Sequence, residues 1–179
     1  PDTWERLLEM VVTAYLSGAQ LYPHVSSRAI GLASGLSGYH AFQRRPTYMK
    51  LAHLPLAERA REMAKPEIKA AIMSETDVLV DQPGSMANMY QLFQTAAMFL
   101  YPLADPVDYE PDPSEMLGSR AAATGQDVLD LLYDYLLEQD GAAMCALMGG
   151  PNVHDSQEVL RQMLIHPETV TGLSDAGAH

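Results

Sequence analysis

Residues 142–173 constrain this chain more than any other stretch. "AAMCALM" (142–148) is apolar on both faces, the pattern of a strand covered on both sides within a parallel sheet. A helical segment over 155–164 follows, with Asp155 and Glu158 as a capping pair and Val159, Leu160, Met163 and Leu164 on its buried face. Thr169-Val170-Thr171 is β-branched and reads as a short strand. Strand, helix and strand in that order predict a parallel βαβ unit and place the chain in the α/β class.

The opening of the chain fits the same class. Trp4, Leu7, Leu8, Val11, Val12 and Tyr15 fall at helical spacing, with Asp2 and Glu5 as the cap and Gly18 as the stop. "AQLYPHV" (19–25) alternates as a strand, with Tyr22 and His24 on one face. Residues 26–54 are rich in Ser and Gly and predict a long excursion with little regular structure. Helices follow at 55–64 and 66–75, separated by Lys65-Pro66, and then a weak strand "DVLV" at 77–80. "QPGSMANMYQLFQTAAMFLYPLAD" starts helical and ends apolar, and the acidic, Pro-rich "DPVDYEPDP" (105–113) predicts an extended connection. Further helices are expected at 114–123 and 126–138, the second with Val128, Leu131, Leu132, Tyr135 and Leu136 on one face. The expected organisation is a helix and strand over 1–25, a mostly helical stretch over 26–141, and the final βαβ unit over 142–179. A chain that starts on the first turn of a helix and stops at a strand's carboxyl end reads as part of a larger domain.

Composition excludes several classes. At 179 residues, with 47% hydrophobic and 19% charged side chains, the chain is folded and can bury a core. Its formal charge of −12 and its 11 Lys and Arg, clustered nowhere beyond Arg44-Arg45, argue against a nucleic-acid or anionic-membrane surface. A single cysteine, Cys145, allows no internal disulfide and fits a reducing compartment. No signal peptide opens the chain and no apolar run approaches transmembrane length, so a cytoplasmic location is expected. The eleven Met read as core filler, and His40, His53 and His154, which show no ligand spacing, read as solvated.

The last segment, "HPETVTGLSDAGAH" (166–179), carries the clearest chemical signal. Gly172 and Ala176-Gly177-Ala178 leave almost no side-chain bulk around Ser174-Asp175, so backbone or a ligand can come close to the carboxylate. A turn would use the same residue types.

This segment resembles the last-strand motif of the N-acyl-D-amino-acid deacylases, or D-aminoacylases, a branch of the amidohydrolase superfamily. Three further stretches are similar to that family in the same order. They are "PDTWERLLEMVVTAYLSGAQLYPHVSSRAIGL", "HLPLAERAREMAKPEIKAAIMSE" and "YPLADPVDYEPDPSEMLGSRAAATGQDVLDLLYDYLLEQDG". The resemblance spans nearly the whole chain. It implies a partial (β/α)8 TIM barrel, from the helix after the sixth strand through the eighth strand, with a large helical insertion. It also implies a Zn²⁺ enzyme whose Cys and His ligands lie on earlier strands, outside this chain. Cys145 is too far along to stand in for the ligand Cys.

On that resemblance Asp175 is the catalytic residue, a general base beside the metal and at most a weak or water-mediated metal ligand. His179 closes the motif as a group orienting Asp175 or the substrate. Arg28, in a Ser/Gly loop after a strand, could hold a substrate carboxylate bidentately. The family commonly shows Arg-Pro-x-Gly there, whereas this chain has Arg28-Ala29-Ile30-Gly31. Asn152, in "GGPNV", is a second candidate substrate contact, and His24 and Tyr22 are weaker ones. The expected partner is a small N-acyl amino acid, together with the rest of the barrel or further copies of the chain. A cyclic amide or ureide hydrolase of the same superfamily, or a non-catalytic helical interaction module, stay open as alternatives.

Overall fold

The computed structural model describes residues 3–28, 30–82, 84–149 and 156–173. The chain forms two compact units, residues 1–31 with 148–179, and residues 32–147.

The first unit is built on two parallel strands. Helix α1 (Thr3–Leu16) ends at Gly18, whose φ of 95° is open to glycine at no steric cost. Strand β1 (His24–Ser26) pairs in parallel with β5 (Val170–Gly172), His24 opposite Val170, Val25 opposite Thr171 and Ser26 opposite Gly172. Helix α8 (Glu158–Ile165) precedes β5 and packs on β1. The Ser156 hydroxyl accepts from the Glu158 N–H at 3.1 Å, while the Glu158 carboxylate pairs with Arg161 at 2.7 Å instead of capping. The expected strand over 19–25 is therefore shorter and later, and Tyr22 lies ahead of it, edge-on to Tyr15 at 6.3 Å. Trp4, Leu8, Val11, Pro23, Val25 and Met163 border an apolar groove of about 250 Å³. Leu7 (53% exposed) and Met10 (60%) lie outside the core, so α1 is apolar on more surface than this unit covers.

The second unit holds most of the buried side chains. Its sheet has the order β2 (Ile30–Gly35), β4 (Met144–Gly149), β3 (Leu100–Pro102). Strand β4 runs antiparallel to β3, with Tyr101 opposite Ala146. Two expectations are corrected by this pairing. Residues 142–148 do not enter a parallel pair with 170–172, since β5 takes β1 as its partner. Nor is the stretch 26–54 irregular, since it carries β2 and helix α2 (Pro46–Leu51) and puts Leu36, Phe42 and Tyr48 into the core.

Helix α2 starts where Pro46 fixes φ at the first helical position. Its free N-terminal N–H groups are met from a distance: Glu75 accepts from the Thr47 N–H at 2.9 Å and from the Thr47 hydroxyl at 2.5 Å. Helices α3 (Leu56–Met63) and α4 (Pro66–Ser74) break at Lys65-Pro66 as expected. The segment 77–80 forms no strand. It is tied down by side chains, with Arg44 Nε donating to the Val78 carbonyl at 2.8 Å and Asp77 pairing with Arg45 at 3.2 Å. A 3-10 turn leads into α5 (Met89–Thr95), and Met98 after it lies beneath Gly118 of α6 (Leu117–Thr124). Asp127 caps α7 (Val128–Leu137), accepting from the N–H groups of Leu129 and Asp130.

Helix α7 is the centre of this unit. Leu132, Tyr133, Tyr135 and Leu136 are buried, and the Tyr133 ring meets Phe42 edge-on at 5.2 Å. The Tyr133 hydroxyl donates to the Met63 carbonyl at 2.9 Å. After α7, Gln139, Asp140 and Gly141 all have positive φ, and Gly141 packs against Ala60, Leu36 and Leu56.

Candidate functional site

Parallel pairing sends the carboxyl ends of β1 and β5 to the same edge. Ser26 and Gly172 are the last residues of the two strands and are register partners. Gly172 permits this closeness, since a Cβ there would lie 3.3 Å from the Val25 carbonyl and 3.4 Å from the His24 Cβ. Beyond that edge the chain runs into Ser27-Arg28 on one side and Leu173 on the other. His24, Val25, Ser26, Thr171, Gly172 and Leu173 border an open pocket of about 600 Å³ here. A pocket outside the carboxyl ends of parallel strands is where α/β folds place their ligands.

Arg28 is exposed, two residues past β1, and forms no ion pair or hydrogen bond among the described residues. His24 is exposed on β1 and borders the pocket. Tyr22 does not join it on a strand face, because it sits before β1 against Tyr15. Asn152, Asp175 and His179 lie outside the described residues, as does His154. In the sequence Asp175 follows the strand-end residue Gly172 by three positions.

The described residues do not fit a metal ion on their own, since they contain no group of three or more His, Cys, Asp or Glu side chains able to hold one. Cys145 is buried, and its thiol is pushed up to about 12 by burial, so it stands neutral rather than as a thiolate ligand. His40, expected in solvent, is fully buried in the core of the second unit. No periodicity marked it, because it sits in a tight turn between β2 and α2. Among the Met, Met63 fills core, while Met10, Met86 and Met98 are exposed, so filling the core does not account for all of them. No helix among the described residues is long and apolar enough to cross a membrane.

Compared with protein families, with curated proteins and with solved structures, the chain matches none.

Proposed function

We infer that this chain supplies the last two strands of a (β/α)8 barrel in a metal-dependent amidohydrolase that cleaves N-acyl amino acids, those of the D series by resemblance. The observation that carries this reading is the in-register parallel pair β1–β5 with α8 between them in sequence and packed on β1. Consecutive barrel strands are parallel neighbours joined through a helix, and their sites lie outside the carboxyl ends. The exposed apolar residues Leu7, Met10 and Leu173 are surface that neighbouring barrel elements would cover.

On this reading the ligands of the metal belong to other strands of the barrel. This chain contributes the proton carrier and the substrate anchor. Water adds to the acyl carbon while Asp175 takes its proton. The C–N bond then breaks as that proton passes to the leaving nitrogen, and the second proton of the water follows from the new carboxyl group, giving a carboxylate and an ammonium. Arg28 holds the amino-acid carboxylate through paired N–H donors.

The test is hydrolysis by the complete barrel across a panel of N-acetyl-D-amino acids, with cyclic ureides as the comparison. Linear substrates should be cleaved, and Asp175→Asn should lower kcat by about 10²–10⁴-fold with the protein folded. The isolated 1–179 chain should cleave none. Ring opening of ureides without cleavage of linear amides, or an Asp175→Asn variant within a few fold of wild type, overturns the assignment.

A further inference from the structure

The turn after β2, "SGYHAFQ" (37–43), turns a titratable ring into the core. His40 has no exposed surface, lies edge-on to Tyr48 with ring centroids 4.4 Å apart, and sits against Phe42 at 6.4 Å. Its Nδ1 accepts a hydrogen bond from the Phe42 N–H at 3.2 Å. An acceptor nitrogen carries no proton, so the neutral ring is the tautomer with its hydrogen on Nε2. Nε2 itself is buried and has no hydrogen-bond partner among the described residues.

The neighbours favour the neutral ring. Among the described residues the charged or titratable groups facing His40 are Arg59 of α3 and the hydroxyl of Tyr48 on α2. Arg59 donates to the Tyr48 hydroxyl at 2.7 Å and lies 5.9 Å from the centre of its ring. Among the described residues no carboxylate forms an ion pair with His40. A proton added at Nδ1 would face the Phe42 N–H donor to donor, break that bond and place a second cation near Arg59. Phe42 is itself a core residue set edge-on against Tyr133, so the strain would reach the centre of the unit.

We propose that His40 is an acid-released latch: the neutral imidazole holds the turn over residues 37–43 on the core of the second unit, and protonation frees it. Burial first, and Arg59 second, hold the folded imidazole down to about 3, against about 6.5 for a free histidine. A group lowered by folding takes its proton only when the turn opens, so closure is complete above about pH 6.5 and weakens as pH falls toward 3. The open-to-closed ratio should rise about 30-fold between pH 7.5 and pH 5, approaching tenfold per unit, while carboxylates stay ionised.

The experiment is amide hydrogen exchange at Phe42 and its neighbours in the 1–179 chain and in His40→Asn, corrected for the intrinsic pH dependence of exchange. Asparagine can offer Oδ1 to the Phe42 N–H and does not titrate in this range. The wild-type protection factor should fall about 30-fold over that interval, and that of His40→Asn should stay level. Equal pH dependence in the two proteins overturns the latch. If His40→Asn does not fold, the ring nitrogens of wild-type His40 are followed by NMR. A ring still neutral with its proton on Nε2 at pH 5 supports the latch, and a ring titrating near pH 6.5 in the folded protein overturns it.

Discussion

Ser26 and Gly172 are register partners at the carboxyl ends of two parallel strands that begin 146 positions apart in the sequence, at His24 and at Val170. The span between them contains a whole second unit, residues 32–147, so the pairing is set by tertiary structure and not by a local turn. Arg28 follows one strand end and Asp175 the other. If Arg28 anchors the substrate carboxylate, Arg28→Ala should raise KM about 10–100-fold for N-acyl amino acids, the loss of a charged hydrogen-bonded pair. N-acyl amines without a carboxylate should be unaffected. Arg28→Lys should recover part of the loss, since it restores charge without the fork. An equal effect on both substrate classes would make Arg28 a loop residue with no part in recognition.

Gly141 should resist any side chain. Its φ of 85° strains an L residue, and an added Cβ would approach the Ala60 Cβ to 3.0 Å. Left-handed backbone costs about 1 kcal/mol and overpacking about 1–3 kcal/mol more. Gly141→Ala should therefore lower the denaturant midpoint markedly. Asp140, one position earlier, is also left-handed with φ 56° but is exposed, so Asp140→Gly should leave stability unchanged or raise it. The pair of variants separates backbone conformation from packing, and a destabilised Asp140→Gly would show that its side chain matters.

The helices of the second unit were legible because their signals are local. Lys65-Pro66 breaks α3 from α4, and Asp127 and the apolar face from Val128 to Leu136 define α7. The turn from Leu36 to Tyr48 was not legible. Its core residues, Leu36, His40, Phe42 and Tyr48, follow no helical or strand period, and their burial depends on α3, α4 and α7 closing around them. Pro46 at the first position of α2 was the one local signal there. Strand pairing was misread for a related reason. "AAMCALM" is apolar on both faces in either orientation, and only the distant partner Leu100–Pro102 decides that it runs antiparallel. At the candidate site, sequence placed Arg28 in a loop after a strand and marked the last strand, while the adjacency of that strand to β1 is a long-range fact that no local pattern contains.

Tyr133→Phe tests the link between α7 and α3. The hydroxyl donates to the Met63 carbonyl in the core, and burial holds the phenol neutral by raising its pKa far above 10. Removing it leaves a buried acceptor without a donor, at a cost of about 1–3 kcal/mol. The edge-on contact with Phe42 and the ring's own packing are retained. Chemical denaturation should show the lower midpoint with an unchanged slope. A cost under about 0.5 kcal/mol would mean that water replaces the lost donor.

The two units should lose structure at different denaturant concentrations. Of the buried hydrophobic side chains, Val25 and Leu160 belong to the first unit, whereas Leu36, Phe42, Ile72, Phe93, Leu132, Tyr133 and Leu136 belong to the second. Stability follows buried apolar area at about 25 cal/mol per Å², so the second unit holds the larger share. The chain carries its own reporters. Its single tryptophan, Trp4, lies in α1 of the first unit, and the buried Tyr48, Tyr90 and Tyr133 lie in the second. Trp4 fluorescence should therefore change at lower urea than the near-UV circular dichroism of the tyrosines. Limited proteolysis in the gap between the two midpoints should leave a resistant core close to residues 32–147. Coincident transitions would show instead that the two units fold as one cooperative body, and the parallel strands β1 and β5 would then be as firmly held as α7.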